Sequence, residues 1–375
     1  VVIPFEFYNN FIVISIRVNG LPLKFIVDTG AEYTILFHRE IAEWLGLESQ
    51  RRVRLMGADL SAELYARVVP NVSLLLQDQC HVSTPLLVLE EDFFEMEQVI
   101  GLPVAGILGG SVLRNFKLKI DYVRPELTLY DPAHFKIPSG YEQIQVEVEK
   151  SKPYISSSVS LRTGEVQQVK LLLDTGASLA SLLYARPENG IVIPDTVITG
   201  TLGVGLGGTL RGYMGKMEFI EIGPYSFRQY LTSFQKPEIG DSLLLSFGKD
   251  GIIGNGLLSR FTLILDYQES QLYLKPNRWF RRKMQYDRSG LMLITAGKEL
   301  RTVQVLDVIV GSPAHAAGIK PGDVLLRFNR MPVMLIGFDR ILQRLSGKPG
   351  KKVRLRIKRG EDQPFLAHLV LRDLL

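Results

Sequence analysis

The sequence predicts a mainly β chain, built as two copies of one lobe related by pseudo-twofold symmetry and followed by a small α+β domain. Three observations carry that expectation. They are a long internal repeat, strand-like apolar patterning between turn residues in both copies, and a step in charge where the repeat ends. The repeat shows in two blocks. Residues 23–31 (LKFIVDTGA) return at 169–177 (VKLLLDTGA), an offset of 146. Residues 105–132 return at 250–277, an offset of 145, with 10 of 28 aligned positions identical and no gap. Two blocks at nearly one offset indicate a duplicated domain, because solenoid repeats recur at roughly 20–50 residues. The lobes are assigned to residues 1–135 and 136–277.

In the first copy, residues 11–18 and 23–27 are β-branched and aromatic, and Asn19-Gly20 between them favours a tight hairpin turn. Residues 74–76, 86–89, 116–120 and 127–130 continue the strand pattern. Helical spacing is brief, over 38–47 around Trp44, and over 111–115 with its repeat mate 256–260. Many short strands with few helices indicate an all-β lobe. The charge step follows: residues 1–277 carry a net −7 and residues 278–375 a net +12. It marks a basic linker at 278–288 and a separate domain at 289–375. Such a basic segment suits nucleic acid or anionic lipid. In residues 353–358 (VRLRIK), however, the cations alternate with apolar residues at period two, as on the wet face of a half-buried strand. No nucleic-acid partner is expected.

Composition excludes other classes. No apolar run approaches the roughly 18–20 residues that cross a bilayer, so no transmembrane segment is expected. The single cysteine, Cys80, cannot form an intrachain disulfide and reads as a small buried hydrophobe. The five histidines are scattered and zinc spacings are absent, so neither a metal nor an organic cofactor is expected. The run Gly203-Val204-Gly205-Leu206-Gly207-Gly208 fits a dinucleotide fingerprint, but a strand pattern follows it where a helix is needed.

Asp-Thr-Gly stands at 28–30 and again at 174–176, each time at the end of an apolar strand pattern. A strand that ends in a turn projects a carboxylate, and the glycine lets another group pass close to the backbone. If the lobes pack about a twofold axis, Asp28 and Asp174 meet. Two carboxylates about 3 Å apart cannot both ionise, so they share a proton. Such a pair supplies a base for water and an acid for a carbonyl oxygen. Asp121-Tyr122 and Asp266-Tyr267 form a second repeat-matched acid pair, but they precede polar turn residues and read as hairpin caps.

On these residues the sequence resembles the aspartic protease family, whose catalytic dyad is the well-known instance of such a shared proton. The matching segments are Asp28-Thr29-Gly30-Ala31, Asp174-Thr175-Gly176-Ala177, Ile107-Leu108-Gly109 and Ile252-Ile253-Gly254. The resemblance covers about residues 5–277. It implies a bilobal aspartic-protease β-barrel fold, Asp28 and Asp174 as catalytic residues, and Thr29, Gly30, Thr175 and Gly176 as their support. The Thr hydroxyls would tie the two loops together across the axis. Ala31 and Ala177 stand where pepsin-type enzymes usually carry Ser or Thr, as in retroviral-type enzymes. One hydrogen bond fewer to the ionised carboxylate leaves the pair less acidic, so an optimum nearer neutral than pepsin's is expected. Family members close a hairpin flap over the substrate. The candidates are Gly57, Ala58 and Asp59 in the first copy and Gly207, Gly208 and Thr209 in the second.

Residues 311–325 (GSPAHAAGIKPGDVL) resemble a PDZ domain of the bacterial protease-associated type. The pattern predicts strands over 302–310 and 324–329, a short helix over 314–317 and a longer helix over 338–345 as one groove wall. The resemblance implies that Gly290, Leu291, Met292 and Leu293 form a loop that grips a peptide C-terminus by β-augmentation. His315 falls away from that groove.

The combined reading is a monomeric aspartic endopeptidase acting on polypeptide substrates, with a PDZ module for substrate capture or regulation. The alternative is a catalytically silent peptide-binding or chaperone-like scaffold. By resemblance the protein is expected to be exported, periplasmic or on the cell surface, although no signal-like stretch stands at Val1.

Overall fold

The computed structural model describes residues 1–56, 63–91, 96–161, 165–206, 208–236 and 248–375, with Met56 and Glu63 described by backbone alone. The duplication seen in sequence recurs as topology. In the first lobe one sheet runs, neighbour to neighbour, through Glu6–Tyr8, Phe11–Val18, Leu21–Val27, Gly106–Leu108, Thr34–Leu36, Cys80–Leu89, Glu63–Leu76 and Arg51–Met56. In the second lobe the same path runs through Glu147–Glu149, Lys152–Ser160, Gln167–Leu173, Gly251–Ile253, Ser181–Tyr184, Tyr225–Gln235, Gly208–Ile222 and Val197–Gly205. Ile16 also pairs with Leu76, and Val159 with Ile220, so six strands of each sheet close into a barrel.

Alternation along these strands explains the closure. The strand Phe11–Val18 ends in a buried–exposed alternation, with Ile14, Ile16 and Val18 inside and Ser15 and Arg17 outside. Asn19 and Gly20 both take positive φ, 46° and 89°, as the expected tight hairpin requires.

A third sheet joins the lobes, in the order Val2–Pro4, Glu126–Tyr130, Lys117–Asp121, Phe261–Asp266, Gln271–Pro276 and Glu142–Gln145. Its central antiparallel pair, Lys117–Asp121 with Phe261–Asp266, brings together equivalent strands of the two copies. One apolar core runs through both lobes and includes Leu118, Ile120, Leu263 and Leu265. Asp121 and Asp266 act as the caps expected of them. Asp121 Oδ1 accepts the N–H groups of Val123 and Arg124, and Asp266 Oδ1 those of Gln268 and Glu269. Asp266 also pairs with Lys117 across the seam.

The third unit is a five-strand path, Leu291–Ala296, Thr302–Val308, Val324–Phe328, Lys352–Lys358 and Phe365–Val370, with helices at Pro313–Ala316, Val333–Ile336 and Phe338–Leu345. It has its own core around Phe328, Ile341, Leu345, Leu355 and Ile357. In Lys352–Lys358 the four cations are exposed and Val353, Leu355 and Ile357 are buried, the wet-face pattern read from the sequence.

Several expectations need correction. The helix near Trp44 covers only Arg39–Trp44, and Trp44 is 74% exposed, so it does not anchor an apolar face. Gly46 takes φ 64° just past that helix and ends it. Cys80 is half-buried, because it begins a strand. The strand expected over 302–310 stops at Val308, where Ile309 N–H turns to Gly290 O. No described helix is long and apolar enough to cross a membrane.

Candidate active site

The strands Leu21–Val27 and Gln167–Leu173 run into the two Asp-Thr-Gly loops, and the short strands Gly106–Leu108 and Gly251–Ile253 lie parallel beside them. Asp28 N–H donates to Leu108 O at 3.0 Å, and Asp174 N–H to Ile253 O at 2.9 Å. Each carboxylate folds back on its own loop. Asp28 Oδ1 accepts from Gly30 N–H at 2.7 Å and from Ala31 N–H at 2.9 Å. Asp174 Oδ1 accepts from Gly176 N–H at 2.8 Å.

The loops are tied crosswise. Thr29 Oγ1 donates to Leu173 O at 2.6 Å and accepts from Thr175 N–H at 3.0 Å. Thr175 Oγ1 donates to Val27 O at 2.7 Å and accepts from Thr29 N–H at 3.1 Å. Both threonines are 2% exposed, so these bonds form in a desolvated setting. The glycines have a specific reason. A Cβ at Gly30 would stand 2.6 Å from Asp174 Cγ, and one at Gly176 would collide with the Asp28 carboxylate. Any side chain there would drive the carboxyl groups apart.

The two carboxyl groups face each other, each lying against the glycine of the opposite loop. Burial lifts Asp28 well above the usual carboxylate range, and the adjacent Asp174 charge lifts it further. Burial raises Asp174 too, but the hydrogen bond from Asp28 and the positive charge of Lys249 and Lys152 hold it down. Both carboxyl groups are thus pushed above the usual range and titrate as a pair, Asp28 the more strongly raised of the two.

Three contributors escaped the sequence reading. Lys249 and Lys152 set the field at Asp174, yet neither belongs to a motif; Lys249 stands two residues before the strand Gly251–Ile253. Asn255, 0% exposed, donates through Nδ2 to Thr175 O at 2.6 Å and to Asn10 O at 2.8 Å, and accepts from Tyr122 OH at 2.7 Å. Its repeat mate is Gly110, so the available signal was a symmetry break, Asn against Gly. Tyr267, the mate of Tyr122, correspondingly has a buried hydroxyl with no hydrogen-bond partner among the described residues.

Of the flap candidates, Gly57, Ala58, Asp59 and Gly207 lie outside the described residues. Gly208 and Thr209 begin the strand Gly208–Ile222, which forms a hairpin with Val197–Gly205. Leu206, beyond the end of the latter strand, packs against the first-lobe cluster of Phe11, Val13 and Ile35. Thr201 within the hairpin donates from N–H at 3.2 Å and from Oγ1 at 2.6 Å to Asp307 Oδ2 of the third unit. The loop expected over 290–293 is not one: Leu291, Met292 and Leu293 open the strand Leu291–Ala296 and pair with Val308, Asp307 and Val305, while Gly290 N–H donates to Asp287 Oδ1 at 2.6 Å and Leu291 N–H to Ser289 Oγ at 3.1 Å. His315 lies on the short helix Pro313–Ala316, whose start packs against Ser289 and Gly290, with Ala314 N–H donating to Ser289 O at 2.9 Å.

Residues 14–112 match the family described as aspartyl protease, and residues 304–359 match the PDZ domain. A 46-residue stretch is 52% identical to the Arabidopsis thaliana protein named "Putative protease Do-like 14"; the match spans 12% of this chain and 11% of that protein. The crystal structure of aspartic proteinase from Irpex lacteus aligns over 76% of this chain and 99% of its own, with 15% identity and a TM-score of 0.47. The chain thus carries an aspartyl protease domain followed by a C-terminal PDZ domain.

Proposed function

We propose that the chain is an aspartic endopeptidase, which hydrolyses peptide bonds of extended polypeptide with water activated by Asp28 and Asp174. One observation carries the reading: two buried carboxyl groups, from equivalent loops of a duplicated fold, face each other so closely that each lies against the other loop's glycine. Asp174 takes a proton from a water held between the two groups. Asp28 donates its own to the carbonyl oxygen of the scissile bond, so a tetrahedral diol forms without a covalent enzyme intermediate. Collapse of that diol reverses the roles, and the amine leaves protonated. The Thr29–Thr175 bonds hold the carboxyl groups in register, and such positioning removes part of the barrier before the reaction begins.

In this reading the hairpin of Val197–Gly205 and Gly208–Ile222 covers the cleft and pairs with substrate backbone, with Gly208 and Thr209 near its tip. The PDZ domain binds peptide C-termini. Incubation of an unfolded protein with and without a statine-type transition-state mimic tests the proposal. Cleavage into peptides, stopped by stoichiometric mimic, is expected; cleavage indifferent to the mimic would assign the reaction elsewhere.

A further inference from the structure

In a PDZ domain a peptide groove would run between the strand Leu291–Ala296 and the helix Phe338–Leu345, which share one apolar core here. Arg288 N–H donates to Leu345 O at 3.1 Å, so the C-terminal end of the helix stands beside the turn at 287–290 that leads into the strand. Thr295 stands near the other end of the strand, and Phe338-Asp339 at the start of the helix. At that end the groove meets the protease domain. Thr295 Oγ1 donates to Gln98 O at 2.9 Å, and the helix Met96–Ile100 packs against the strand Leu291–Ala296, along the edge that carries no neighbouring strand among the described residues. Asp339 N–H donates to Tyr8 OH at 3.2 Å, and Asn9 N–H to Asp339 Oδ1 at 3.4 Å. A Cβ at Gly101 would stand 2.6 Å from Phe338 Cδ1, and Tyr8 packs on the PDZ core itself.

We infer that the far half of the PDZ groove is an intramolecular docking site whose occupant is the first lobe of this chain, namely the Tyr8-Asn9-Asn10 turn and the helix Met96–Ile100. An extended peptide advances about 3.3 Å per residue, so one anchored at the turn 287–290 reaches Thr295 by about its fifth residue. A C-terminus of three residues fits the near half. A longer chain enters only by displacing Tyr8 and Gln98.

The displaced segment is also a support of the dyad. Asn9 and Asn10 take φ 47° and 62° in the tight turn that pairs Tyr8 with Phe11. One side of this turn holds Asp339. On the other side Asn10 Nδ2 donates to Ser178 O at 2.9 Å, and Asn10 O accepts from Asn255, which also holds Thr175 O. Asp307 grips the hairpin strand at Thr201 from the same PDZ sheet. Displacement therefore withdraws an acceptor from Asn255 and loosens the second Asp-Thr-Gly loop. By linkage, a ligand that favours the ordered dyad must weaken long-peptide binding by the same factor that the peptide weakens it. This last step rests on the peptidase reading, whereas the docking does not.

The experiment titrates the full chain with fluorescent three-residue and eight-residue peptides that share an apolar C-terminal residue and a free carboxylate. Tyr8→Ala should tighten the eight-residue peptide about ten-fold, a shift typical of removing an intramolecular competitor, and leave the three-residue peptide unchanged. Thr295→Val, which changes only the PDZ side, should act in the same direction and covers a folding failure of the first variant. Statine-type mimic in the cleft should weaken only the eight-residue peptide, by about five-fold. Equal affinity of both peptides in wild type and both variants overturns the docking. Absence of binding by either peptide to any variant removes the groove as a peptide site and the inference with it. Tighter eight-residue binding in Tyr8→Ala without any mimic effect keeps the docking and overturns the coupling.

Discussion

Thr29 and Thr175 each complete a hydrogen-bond circuit that neither lobe can complete alone. Replacing Thr175 with Val leaves Val27 O without its donor and Thr29 N–H without its acceptor. Each orphaned buried group costs about 1–3 kcal/mol. A lower denaturation midpoint is therefore expected, together with a loss of at least about ten-fold in kcat, since misplaced catalytic groups are costly. Thr175→Ser should restore most of both; equal stability of Val and wild type in denaturant titration would show that the cross-tie is idle. Lys249 makes a second residue-scale prediction. Its positive charge favours the carboxylate form of Asp174, so its removal raises the pH at which the pair loses protons. For Lys249→Met both limbs of the kcat/KM profile should move to higher pH, and a profile that stays put or moves down would contradict the assigned field. The Asp-Thr-Gly pair was legible in sequence because it repeats within a motif. Lys249 was not, because it reaches the dyad only through the fold.

Among the elements, the loop 287–291 has a titration of its own. Burial pushes Asp287 up to about 6, although it accepts N–H bonds from Ser289 and Gly290. A carboxyl group raised in the folded state favours folding most fully below its unfolded pKa, and that contribution fades as pH rises through the folded value. PDZ stability should therefore decline between about pH 4 and about 6, a window set by the unfolded and folded values. Asp287→Asn keeps the acceptor oxygen and should flatten the decline, as read from urea unfolding across that range; an unaltered slope would mean another group is responsible. Element boundaries were readable wherever a turn residue or an alternation marked them, as at Asn19-Gly20 and in Lys352–Lys358. The helix at Arg39–Trp44 was read too long because Trp44 counted as apolar in the spacing while its ring faces solvent.

Across the whole molecule, duplication was visible as two sequence blocks, but its main consequence was not. The sheet that joins the lobes pairs Lys117–Asp121 with Phe261–Asp266, a contact between distant segments that no local pattern encodes. The same holds for the grip of the PDZ domain on Tyr8 and Thr201. Asn255 illustrates the limit: its repeat mate is a glycine, and its amide finds one acceptor in the packed Asn10 turn and the other in Thr175 O, partners brought together only by the fold. The account stands on the two carboxyl groups acting as one unit. Its most direct measurement is the initial rate of cleavage of an unfolded protein by wild type, Asp28→Asn and Asp174→Asn, each first shown to be folded. A fall of at least about a thousand-fold in both single variants is expected, because groups that act together are lost together; a wild-type rate in either variant would contradict the account.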